Sequence, residues 1–111
     1  MTEKTHFQGM VSELINVLGV RLVAYIGNTD NAVDVVTWEN GPHVPSPSVV
    51  MRLTFASDCV NLILNDDSPG VVRAWFQGMN PYLADIAPAT VLREGNPSNA
   101  YSAAIAFALE G

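Results

Sequence analysis

Basic residues, cysteine and histidine are all scarce in this chain. Its 111 residues include five Lys and Arg, one Cys and two His. Cys59 alone cannot close an internal disulfide, which fits a reducing compartment. It lies in an apolar helical stretch, where cysteine acts as a small buried hydrophobe. His6 and His43 fall in a tail and a loop, with no carboxylate at ligand spacing, so no metal site is expected. Asp66-Asp67 lacks the alternating oxygen ligands and glycine of a calcium loop and reads as a solvated turn. No glycine-rich phosphate loop and no nucleophile motif is present. The chain is therefore not read as an enzyme, and no catalytic residue or cofactor is assigned. No run of roughly 18 apolar residues occurs, so no membrane span is expected. The first residues carry no apolar run behind a basic stretch, so no signal peptide is expected. A cytoplasmic protein follows.

What remains is apolar and acidic. Hydrophobic residues make up 49% and charged ones 14%. That is enough for a core and too apolar for intrinsic disorder. Asp and Glu outnumber Lys and Arg 11 to 5, for a formal charge of −6. This balance repels phosphate and favours a basic protein surface as partner. The length suits one domain, or two small helical subdomains sharing one core.

Periodicity predicts an all-α fold of about seven short helices. Phe7, Met10, Val11, Leu14, Ile15 and Leu18 share one helical face up to Gly19. Leu22, Val23 and Ile26 form a second short run, broken at Gly27-Asn28. Asp30 or Asn31 caps a third helix with Val33, Val36 and Trp38 as its apolar side, closed by Asn40-Gly41-Pro42. Ser46-Pro47 opens the longest helix, to about Leu64, and Ser68-Pro69 opens one to about Gly78. Asn80-Pro81 is a stop. One or two turns span Pro88 to Arg93, and an Ala-rich helix runs from Asn99 to Leu109. The stripe of Phe7, Met10 and Leu14 on so short a helix predicts self-association, a homodimer.

Two helices split by a tight turn, Val20 to Asn40, make a helix-turn-helix pattern. Leu18-Gly-Val-Arg-Leu-Val-Ala-Tyr-Ile-Gly-Asn-Thr29, with Ala32-Val33 and Trp38-Glu-Asn-Gly41, resembles the Xre-like motif of bacterial antitoxins. Within it Asn31, Asp34 and Thr37 are the candidate DNA-reading residues. No Lys or Arg lies between Arg21 and Arg52. The motif is therefore degenerate, a scaffold whose carboxylates oppose docking on phosphate, and DNA binding is expected to be weak or confined to a complex.

The second half carries the more specific resemblance. Val71-Val-Arg-Ala-Trp-Phe-Gln-Gly-Met-Asn-Pro81, Leu83, Pro88 and Val91-Leu-Arg-Glu-Gly95, before an Ala-rich closing helix, resemble the toxin-binding domain of Xre/MbcA/ParS-type antitoxins. The chain departs from the family at Asp85-Ile-Ala, where a charged turn is usual, and at Asn96-Pro97, where an acidic residue often follows the glycine. The resemblance implies a degenerate helix-turn-helix domain over residues 1–65 and a small helical toxin-binding domain over 66–111. It implies an antitoxin that neutralises a co-encoded RES-domain toxin, a class that consumes NAD. The alternative is a stand-alone helix-turn-helix transcriptional regulator, such as one derived from a phage. Candidate toxin-binding residues are Arg73, Asn80, Pro81, Tyr101, Phe107, Glu110 and Gly111. Tyr101 and Phe107 would anchor contacts, and Glu110 with the Gly111 carboxylate would face a positive cleft. The competing reading packs this last helix on Trp75 and Phe76.

Overall fold

The computed structural model describes residues 5–42 and 44–110. His43 and Gly111, both assigned above, lie outside them. Among the described residues there are seven α-helices, one 3-10 turn and no strand. The helices are α1 (His6–Leu18), α2 (Val20–Gly27), α3 (Ala32–Asn40), α4 (Pro47–Leu64), α5 (Pro69–Gln77), α6 (Pro88–Arg93) and α7 (Pro97–Glu110), with the 3-10 turn at Pro81–Leu83.

Local chemistry sets most boundaries. Thr5 and Gln8 close a reciprocal capping box at the start of α1, each side chain bonding the other's backbone N–H. Gly19, at φ 87°, ends α1 and lets α2 begin one residue later. Asn31 caps α3 by accepting from the Val33 N–H at 2.9 Å. Ser68 caps α5, with Pro69 at its first position. The closing helix starts at Pro97, two residues earlier than its apolar pattern suggests, because proline needs no N–H partner in a first turn.

The expected apolar face of α3 is corrected. Val35 is fully buried and Trp38 half-buried, whereas Val33 is 65% exposed and Val36 is also exposed. At about 100° per residue, 35 and 38 share one side of the helix, and 33 and 36 lie on another.

The core is one contiguous cluster crossing residue 65. It runs from Val11, Leu14 and Val23 through Leu53, Ala56 and Ile63 to Phe76, Leu92 and Ala104. Helix α4 packs most extensively on α7, and also meets α1, α2, α5 and α6. Its 18 residues reach a mean hydropathy of 1.2, long and apolar enough to cross a membrane. Here its stripe of Leu53, Ala56, Cys59, Val60 and Ile63 is buried against its neighbours, and Asp58 is exposed between them. Ala100, Ala103 and Ala104 are the buried side of α7, and such small residues allow close approach to α4. The α1 stripe also turns inward, with Leu14 buried and Phe7 and Met10 packed on the core. Phe7 and Met10 keep part of their surface, so the stripe is only partly taken up by the core.

Candidate partner-binding surface

In the α2–α3 pair, each candidate DNA-reading side chain is held by the protein itself. Asn31 is the α3 cap. Asp34 accepts from the Thr29 hydroxyl, and Thr37 donates to the Val33 carbonyl at 3.1 Å. Glu39 accepts from Ser12 of α1 at 2.7 Å. These bonds fasten α3 to the turn before it and to α1, and they leave carboxylates where a DNA reader needs cations.

Two arginines from the second half cap helices of the first. Arg73 Nη1 of α5 donates to the Val17 carbonyl, at the end of α1, at 2.9 Å. Arg93 Nη1 of α6 donates to the Tyr25 carbonyl, at the end of α2, also at 2.9 Å. Its Cζ lies 4.6 Å from the Tyr25 ring centroid, and its Nη2 is 3.4 Å from Asp30. The Tyr25 hydroxyl meets Thr90 Oγ1 at 2.9 Å. A cation at a helix C-terminus satisfies orphan carbonyls and the helix dipole together. The sequence points Arg73 at a partner, but in the fold it already holds α1.

Of the other candidate contact residues, Asn80 is buried. Its side chain accepts from the Tyr82 N–H at 3.0 Å, and its carbonyl accepts from the Leu83 and Asp85 N–H groups at 2.9 Å each. Asn80 therefore shapes the turn, while Pro81 beside it is exposed. Tyr101 is half-buried, edge-on to Phe55 with centroids 6.2 Å apart. Phe107 tilts against Trp75 at 6.4 Å, and Trp75 meets Phe76 edge-on at 5.0 Å. Both aromatic anchors thus also pack inward. Glu110 is exposed and accepts from the Tyr82 hydroxyl. That bond and the carboxylate's charge raise the Tyr82 pKa.

Four further exposed apolar residues were given no role by the sequence reading. Met79 is 81% and Leu109 83% exposed, and Tyr82 and Ile86 are also exposed. Met79, Tyr82 and Ile86 sit in a segment punctuated by Gly78 and Pro81, which has no helical period to assign their faces. Their only signal was being large and apolar in a turn. Ala84 and Asp85 both adopt left-handed backbone, at φ 55° and 66°, a conformation costly for non-glycine residues.

No group of three or more His, Cys, Asp or Glu among the described residues is placed to hold a metal. Cys59 is fully buried, and desolvation first, then Asp58, push its thiol up to about 12. His6 is exposed.

No protein-family model and no curated protein matches the sequence. Among solved structures, the chain superposes on one in the crystal structure of the M. tuberculosis MbcT–MbcA toxin–antitoxin complex. The TM-score is 0.75 at 21% identity, with 96% of each chain covered. The two share a fold from end to end.

Proposed function

We propose that this chain is an MbcA-type antitoxin, a protein that binds a toxin and neutralises it without catalysis of its own. The observation that carries this is the end-to-end match with a chain of a toxin–antitoxin complex. The net charge of −6 supports a basic partner surface. A RES-type, NAD-consuming toxin fits this reading, because a cleft that holds a pyrophosphate needs positive charge. The exposed end of α7, with Glu110 and Leu109, is the part we assign to that cleft. Asn80, Tyr101 and Phe107 pack beneath the surface, Pro81 is exposed, and Arg73, exposed on α5, holds the end of α1. The regulator reading finds no comparable support, since Asn31, Asp34 and Thr37 already have partners within the chain.

The test is rescue of cells expressing the co-encoded toxin. The wild-type chain should restore growth. Glu110→Lys, at an exposed position, should fold normally and lose most protection. Tyr101→Ala is the poorer probe, because Tyr101 packs on Phe55 and its loss would also loosen the core. No rescue by the wild-type chain at equal expression would end the antitoxin reading.

A further inference from the structure

A groove of about 540 Å³ runs between the exposed turn after α5 and the outer face of α7. Tyr82 and Ile86 form one wall, and Ser102, Ala103 and Ala106 the other. The second wall is low because those α7 residues are small, so the large side chains of the turn overhang open space. Met79, just before the turn, is also exposed. Glu94 lines the groove, Glu110 is bonded to Tyr82 at its rim, and no Lys or Arg is among the lining residues.

We propose that this groove is where the toxin docks, by laying in a cationic amphipathic helix. The proposal rests on the antitoxin reading for the partner's identity. Apolar side chains of that helix would fill the space between Tyr82, Ile86 and Ala106, where displaced water favours binding. Its Lys or Arg residues would meet Glu94 and draw Glu110 away from Tyr82. Charge chooses this occupant. A second copy of a chain with formal charge −6 would bring like charge to an already acidic rim. A polar small molecule could bond Asn96, Asn99 and Ser102 but would leave the Tyr82, Ile86 and Ala106 side chains uncovered in an open trough. The left-handed pair Ala84–Asp85 fixes Ile86 in its outward position, so the wall exists before the partner arrives.

The experiment titrates the full-length, isotope-labelled chain with a Leu/Lys amphipathic helical peptide and with a Leu/Glu counterpart of equal length. The Leu/Lys peptide should shift the amides of residues 82–86 and 102–106, and the Leu/Glu peptide should leave them still. Glu94→Lys should weaken the Leu/Lys peptide about tenfold. Ser102→Trp, at an exposed helical position, should block it while keeping the fold, as thermal unfolding verifies. Shifts centred on α3 or on Asp58 of α4 would overturn the proposal, as would binding unchanged in both variants. Self-association that Ser102→Trp abolishes would put a second copy in the groove and overturn it too. Toxin rescue separates the two readings. Rescue that survives both variants removes the groove as the toxin site and keeps the antitoxin. Groove binding without any rescue by the wild-type chain removes the antitoxin reading instead.

Discussion

Cys59 illustrates how burial decides a residue's chemistry. Its thiol has no exposed surface and its pKa is about 12, against 9.0 for the free group. The neutral form is favoured inside the fold, so native Cys59 should resist alkylation at mildly alkaline pH and react only on unfolding. Linkage fixes the sign of a second effect. Below pH 9 the thiol is neutral in both states and its contribution is fully present. As pH rises from 9 toward 12, only the unfolded chain releases the proton, and stability falls. The slope should approach about 1.4 kcal/mol per pH unit from this group alone. Urea unfolding across that window should therefore show a steeper decline for the wild-type chain than for Cys59→Ala. Equal slopes would mean that the thiol is solvated. The same residue scale explains Arg73 and Arg93, whose positions are plain in the sequence but whose carbonyl partners, 56 and 68 positions away, are not.

Among elements, the contact of α2 with α3 turns on one missing atom. A Cβ on Gly27 would stand 2.8 Å from both Cη2 and Cζ3 of Trp38, closer than van der Waals contact allows. Glycine is needed there for close approach, while Asn28 takes the left-handed cap at φ 69°. Gly27→Ala should cost about 1–3 kcal/mol through overpacking, read in urea denaturation and in Trp38 fluorescence. Gly9→Ala is the internal comparison. It lies inside α1 with nothing within 4 Å of the added carbon, so it should stabilise by about 0.5–1 kcal/mol. Helix starts were legible because Asn31, Ser46-Pro47 and Ser68-Pro69 write them locally, and so was the placement of Trp75 and Phe76 inside. The facing of α3 was not. Three valines in four residues, Val33, Val35 and Val36, give no unique stripe, and only packing on α1 and α2 selects Val35. The surface around Met79, Tyr82 and Ile86 was hidden for a related reason. A turn has no period, so which of its side chains face water follows from the path that Asn80 imposes.

At the scale of the whole molecule, charge separates protein recognition from DNA recognition. Four arginines occur among the described residues: Arg21, Arg52, Arg73 and Arg93. If each neutralised one phosphate, log K would change against log salt with a slope of about −4 per chain. Arg73 and Arg93 already hold helix carbonyls, which leaves Arg21 and Arg52 and a slope nearer about −2. Arg52 is itself half-buried, with its Nε enclosed. Few counterions can be released, and the carboxylates of Asp30, Asp34 and Glu39 stand along the α2–α3 pair. We therefore expect no sequence-specific retardation of the chain's own promoter by the isolated protein at about 0.15 M salt. A gel shift with a salt titration measures both quantities. Retardation that appears only with a bound protein partner would mean that the partner supplies the missing positive charge. Nanomolar binding by the chain alone, with a slope steeper than about −4 per chain, would require cations that the described fold does not present. It would give the α2–α3 pair the DNA-reading role that the sequence outline suggests.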